Sequence, residues 1–215
     1  MHLPPAGEND CNEFSLLAAA MTLRLVLASA NPAKAAEIEA IVAALAPGSI
    51  ELVPRPPEVP DVVEDADTFE GNARLKAVAL VEATGLAALA DDSGLVVDAL
   101  GGAPGVRSAR YAGESATDAD NRDRLLRELD GAADRTARFV CTVIVCWPAG
   151  REVVATGEVD GRIAEAPAGS GGFGYDPVFV PDEGDGRTFG QFDPAAKHAI
   201  SHRGRALRAL VERLR

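Results

Sequence analysis

Asp91-Asp92-Ser93-Gly94 places two carboxylates side by side after a short apolar run, Leu86–Ala90. Neighbouring carboxylates repel each other and call for a cation or a proton. Successive strand residues point to opposite faces, so one Asp leads into a cleft while the other braces the turn. Asp92, at the strand–loop junction, is assigned to the cleft. Glu64, in the acidic stretch Glu64–Asp67, offers a further acid. Hard oxygen donors without a Cys/His cluster indicate Mg²⁺ rather than zinc. The bland alternative is a plain Asp-Ser-Gly turn with Glu64 on solvated surface.

Lysine is scarce. Of 21 basic residues only Lys34, Lys76 and Lys197 are lysine, and the other eighteen are arginine. A compact charge on a flexible stem is kept at three places where Arg's planar fork is no substitute. Either drift toward Arg spared three lysines, or three lysines converge on one polyanion. Lys34 closes Ser29-Ala30-Asn31-Pro32-Ala33-Lys34, a turn leading from a strand straight into a helix. Free N–H groups at such a helix start favour phosphate. Ser29 and Asn31 add side-chain hydrogen bonds, although both residue types also serve as simple caps. The glycines of a Walker loop are missing. Lys76 follows Asn72 by four residues, on one helix face.

Further along, Gly169–Pro177 sets Phe173 and Tyr175 among glycines. Glycine lets a ligand approach the backbone closely, and a ring stacks on a nucleobase. The structural alternative is a tight loop with a core Phe. Lys197 precedes Ser201-His202-Arg203-Gly204. That His-Arg pair at a helix start offers donors to a phosphate or a base carbonyl, or else a cap.

The elements that must position these groups follow from local signals. Leu23–Ala28 predicts a buried strand, and Asn31-Pro32 opens a helix to about Leu45. Pro54–Pro60 is extended or looped. Asp67 to Glu70 has capping-box spacing before a helix ending at Thr84-Gly85. Leu86–Ala90 predicts a second buried strand, and Gly101–Gly113 a loop. Thr117 starts a charged helix that ends near Asp130-Gly131. Ala137–Trp147 and Glu152–Val159 form a hairpin turning at Pro148-Ala149-Gly150. Val178–Val180 is a short strand, and a final helix begins near His202. Helices alternating with strands predict an α/β fold with a mixed sheet flanked by helices.

The whole composition agrees. The 215 residues are 47% hydrophobic and 25% charged, with a net charge of −12. That charge opposes nucleic-acid polymers and anionic membranes as partners, but a metal and a few cations still build a pocket for a small anion. Three cysteines, Cys11, Cys141 and Cys146, make no disulfide framework. The latter two, five apart in an apolar run, face opposite sides of a strand in a reducing compartment, expected to be the cytoplasm. No run long enough to span a membrane occurs. Residues 1–20 read as a disordered extension, a late start codon or an added segment, before residues 21–215, which fit one domain or one domain with two lobes.

The motifs together resemble the inosine/xanthosine triphosphate pyrophosphatase family. The blocks stand here as Ser29–Lys34, Thr68-Phe69-Glu70-Gly71-Asn72-Ala73, Ala90–Leu95, Gly105-Val106-Arg107-Ser108-Ala109-Arg110-Tyr111, Gly172–Pro177 and Ile200–Gly204, in order from Leu23 to the last helix. One departure is Gln191, where that family usually has an acid. The resemblance implies a two-lobed α/β fold with a long mixed sheet, an active-site cleft between the lobes, and a homodimer. It implies hydrolysis of ITP, dITP or XTP to the monophosphate and pyrophosphate. Mg²⁺ is then held by Glu64 and Asp92, and Asp92 also orients or deprotonates the attacking water. Ser29, Lys34 and Lys76 hold the triphosphate, with Asn31, Asn72 and Ser93 beside them. Phe173 stacks on the base, next to Gly174 and Tyr175, and Asp176, Lys197, His202 and Arg203 surround its edge. Two competitors are a related pyrophosphatase for pyrimidine or modified canonical nucleotides, and a nucleotide sensor without turnover.

Overall fold

A computed structural model describes residues 22–215; the expectation for residues 1–20, and Cys11, lie outside them. The chain runs β1 (Leu23–Leu27), α1 (Pro32–Leu45), β2 (Ile50–Val53), α2 (Phe69–Thr84) and β3 (Ala88–Val97). After a 3₁₀ segment, Gly105–Arg110, come α3 (Asp118–Glu128), β4 (Thr136–Cys146), β5 (Glu152–Ile163), β6 (Phe179–Pro181), α4 (Pro194–Ile200) and α5 (His202–Leu214). The six strands form one sheet in the order β2-β1-β3-β4-β5-β6. β1 is parallel to β2 and β3, and the remaining pairs are antiparallel, so the sheet is mixed as expected.

Local chemistry sets the helix starts. Asn31 Oδ1 accepts from the Lys34 N–H at 3.1 Å, and Pro32 takes the first helical position. The cap of α2 is Thr68, one residue later than the Asp67–Glu70 spacing suggests; its hydroxyl accepts from the Gly71 N–H at 3.0 Å. Gly85 closes α2 in the left-handed region at φ 68°. Thr117 and Asp120 cap α3 reciprocally, and Ser201 caps α5 through the Gly204 N–H.

One boundary differs in a way that matters. The strand expected to end at Ala90 continues to Val97, so Asp91-Asp92-Ser93-Gly94 is strand interior rather than a turn. The cause is tertiary: β4 pairs with β3 at every residue from Ala88↔Cys146 to Val97↔Ala137. That ladder outweighs the turn preference of Asp, Ser and Gly. β2 and α4 carry signals too short to anticipate, and β5 runs four residues past Val159.

Alternation along the strands divides the core. Leu25, Leu27, Leu89, Cys141 and Val143 pack with Ile38 and Ile41 of α1 and Leu207 and Leu210 of α5. On the other face Ala90, Ile144 and Cys146 meet Ala73 and Ala77 of α2, beside Val26, Ala88 and Leu80. Cys141 and Cys146 thus lie on opposite faces. Towards the far ends of β3–β5 a separate cluster joins Leu95, Phe139, Val159 and Ile163 to Leu125 of α3, Phe179 and Phe189. The clusters against α1, α2 and α5 form one lobe of the sheet, and the cluster at the far ends of β3–β5 forms the other.

Candidate active site

A cleft of about 1000 Å³ is lined from both lobes, and all three lysines face it. Each is held by a carboxylate. Lys34, in the first turn of α1, lies 2.9 Å from Asp91 Oδ1. Lys76 of α2 lies 3.0 Å from Glu64 Oε1 and 3.5 Å from Asp92 Oδ1. Lys197 of α4 lies 2.7 Å from Asp176 Oδ2 and 3.1 Å from Glu37 Oε2. Ser29 and Asn31 line the same end as Lys34; the Ser29 hydroxyl donates to the Asn31 carbonyl at 3.2 Å.

Because the Asp pair sits within β3, its members leave the sheet on opposite faces. Asp91 turns toward α1 and α5, where Lys34 and Arg203 Nε (3.3 Å) meet it. Burial alone would raise its pKa, but those two cations reverse the effect and hold it far below the carboxylate range. Asp92 turns toward α2 and lines the cleft. Its pKa is raised: burial dominates, against the lowering pull of Lys76 and Lys34. Asp91 therefore braces two basic side chains and not a turn.

Glu64 reaches Asp92's side through backbone anchoring of its loop. Arg110 Nη2 donates to the Glu64 carbonyl at 2.7 Å, and the Ala66 N–H donates to Asn72 Oδ1 at 3.0 Å. The other end of the Asn72 amide donates to Asp92 Oδ2 at 3.2 Å. Asn72 is fully buried. It spans Ala66 and Asp92 rather than facing the cleft, so it is a brace where sequence placed it against substrate. Among the described residues no group of three or more His, Cys, Asp or Glu side chains is arranged to hold a metal. The donor set still fits a magnesium ion. Glu64 and Asp92 already share one cationic group, the Lys76 ammonium, and a hard cation completes its shell with phosphate and water oxygens.

The opposite end of the cleft is built on the glycine loop. The Phe173 N–H donates to Asp176 Oδ2 at 2.9 Å, and the Phe173 ring lies 4.9 Å from Lys197 Nζ and 5.5 Å from Arg203 Cζ. Gly172 has φ 70°, and a Cβ there would collide with the Asp176 carboxylate. Gly174 lines the cleft. Tyr175 is a core residue, 4% exposed, whose hydroxyl donates to the Ser108 carbonyl at 2.9 Å. Arg203 is engaged at three nitrogens: Nε with Asp91, Nη1 with Glu37 Oε1 at 3.1 Å, and Nη2 with Ser93 Oγ at 2.9 Å. His202 stacks on Phe139 with centroids 4.6 Å apart, and its buried Nδ1 has no hydrogen-bond partner among the described residues. Burial first, then Arg203 and Lys197, push its pKa well below the usual value, so the ring is neutral.

Sequence reasoning missed Glu37, which joins Lys197 to Arg203 from the buried face of α1. Its burial would raise the pKa, but Arg203 and Lys197 bring it below the usual range. A signal was present: Glu37 neighbours Ile38 and precedes Ile41 by four, on a face that reads as core. Gln191 caps a 3₁₀ turn, accepting from the Thr188 N–H at 3.0 Å.

Fold and cleft define an α/β protein with carboxylates and lysines at one end of a cavity and an aromatic ring among cations at the other. Residues 25–213 match the Ham1 family model, and the chain belongs to the Ham1 family. It is 49% identical over 193 residues to the dITP/XTP pyrophosphatase of Geobacter sulfurreducens, covering 89% of this chain and 96% of that protein. With the dITP/XTP pyrophosphatase of Streptomyces coelicolor it shares 50% identity over 191 residues, 87% of this chain and 95% of the relative. The solved structure of a HAM1 protein from Coxiella burnetii superposes with a TM-score of 0.80 at 42% identity, covering 90% of this chain and 98% of that one.

Proposed function

We propose that the protein hydrolyses the non-canonical purine nucleoside triphosphates ITP, dITP and XTP to the monophosphate and pyrophosphate, removing them from the nucleotide pool. The observation that carries this is the two-ended cleft: Glu64, Asp92, Lys34 and Lys76 at one end, Phe173 between Lys197 and Arg203 at the other. That the Geobacter and Streptomyces relatives are dITP/XTP pyrophosphatases supports it.

Lys34 and Lys76 neutralise the triphosphate, and Ser29, Asn31 and Ser93 orient it. Asp92 orients a water toward the α-phosphorus and takes its proton as the new P–O bond forms. The α–β anhydride bond breaks and pyrophosphate leaves. Glu64 and Asp92 would hold Mg²⁺, which when bound would supply neutralisation of phosphate charge. Asn72 keeps Asp92 turned toward the cleft.

At the base end Phe173 stacks on the purine. Inosine and xanthine present a 6-carbonyl acceptor, whereas adenine presents an amine donor. His202, neutral and with a nitrogen that has no partner among the described residues, has hydrogen-bonding capacity left. Arg203, engaged with Glu37, Asp91 and Ser93, sets the frame around the base and adds charge beside the ring. A site built for one hydrogen-bond pattern rejects the other by factors around 10⁴.

We further infer a homodimer, which would cover exposed apolar side chains such as Leu75 and Val78, and a cytoplasmic location, which suits the free Cys141 and Cys146. The deciding experiment is pyrophosphate release from ITP, XTP, dITP, GTP and ATP side by side with Mg²⁺. Rapid turnover of the first three is expected. Binding without release would make the protein a sensor, and preference for a pyrimidine or modified canonical nucleotide would overturn the substrate class.

A further inference from the structure

The loop that carries Phe173 is poor in intrinsic order. Gly169, Gly172 and Gly174 all adopt positive φ, and glycine loses much conformational freedom when fixed. Bonds from outside must hold it. The Gly171 N–H donates to the Gly190 carbonyl at 2.8 Å, and Asp176 holds the Phe173 N–H. Two more bonds come from α3. The Gly174 N–H donates to Asp118 Oδ2 at 2.7 Å, and the Gly174 carbonyl accepts from Arg122 Nη1 at 2.7 Å.

These bonds fix two different peptide units, the one between Phe173 and Gly174 and the one between Gly174 and Tyr175. Asp118 and Arg122 are four residues apart, hence on one face of α3, and both bonds are charge-assisted. The helix is itself anchored. Leu125 is in the core. Asn121 accepts from the Ala112 N–H at 2.7 Å and donates to the Ala109 carbonyl at 3.0 Å. Among the described residues, the side-chain hydrogen bonds of Asp118 and Arg122 go to Gly174.

We propose that Asp118 and Arg122 are positioning residues for base selection: by clamping both peptides that follow Phe173 they fix the plane of the ring on which the purine stacks. The inference rests on the nucleotide reading above. Neither residue acts on the phosphates, so their loss weakens recognition of the base and spares the triphosphate end.

The test compares Asp118→Ala and Arg122→Met with Asp118→Asn and Arg122→Lys, which keep an acceptor and a donor. The truncations should raise KM for ITP about tenfold with kcat within about threefold, and lower the ITP-over-ATP preference in kcat/KM by a similar factor. The conservative pair should recover part of the loss. Affinity for inorganic triphosphate, measured by calorimetry, should stay at the parent's value. Without any substrate, hydrogen exchange at the Gly174 amide should quicken at least about tenfold in Asp118→Ala. A parent protein inactive on ITP refutes the nucleotide reading, while amide exchange still decides the clamp. Unchanged Gly174 exchange overturns it. So do variants with the parent's KM and preference, or an equal fall in kcat on every nucleotide.

Discussion

Asp92 and Glu37 are both buried carboxylates, yet their surroundings drive them in opposite directions. Asp92's pKa is raised by burial, so its ionised form costs stability once pH rises above the ordinary Asp value. Asp92→Asn should therefore melt at or above the parent's temperature at pH 7 without metal, while turnover falls about 10²-fold or more. Near-parental turnover in that variant would remove Asp92 from the chemistry. Glu37's pKa is lowered. Its contribution is present above the unfolded value of about 4.3 and is lost as pH falls through the folded one. Glu37→Gln should cost about 2–3 kcal/mol at pH 7, because Arg203 and Lys197 lose their shared anion. The cost should shrink under acid titration below about pH 4; a cost that stays constant to pH 2 would show that shape, not charge, is what Glu37 supplies. His202→Ala should lower turnover of ITP far more than of ATP, and equal losses would assign His202 to the phosphates or to packing against Phe139.

At the level of elements, β3 shows both what sequence revealed and what it hid. The Asp pair was legible because two acids after an apolar run need an explanation on electrostatic grounds alone. Their direction was legible from strand alternation. Their place in mid-strand was not, since it depends on pairing with β4 some fifty residues away. Asn72 illustrates the same limit: helix spacing puts it beside Lys76, but its complete burial against Ala66 and Asp92 is a product of the packed loop. Glycines were legible as close approaches without their partners. Gly172→Ala tests one of them. A Cβ there meets the Asp176 carboxylate at a positive φ, so Asp176 must move and Lys197 with it. KM for ITP should rise about tenfold while the melting temperature falls by only a few degrees. A melt that collapses instead would mean that the loop supports the fold.

For the molecule as a whole, alternation of helix and strand was enough to anticipate a mixed, doubly covered sheet. The division into two lobes was expected from the motif resemblance and not from alternation, because it arises where long antiparallel strands outrun the helices that cover their other ends. Placement of lysine at this scale affects how the protein can be handled. With Lys34, Lys76 and Lys197 as its lysines, and their side chains only 15%, 12% and 5% exposed, the outer surface carries almost no nucleophilic amine. Succinimidyl esters, aldehyde fixatives and amine-coupling resins therefore find the amino terminus or the cleft and little else. Acylation detected by intact mass should track loss of turnover once past the amino terminus, and excess inorganic triphosphate should slow both together. A reagent usually chosen to decorate surfaces would behave here as an affinity label.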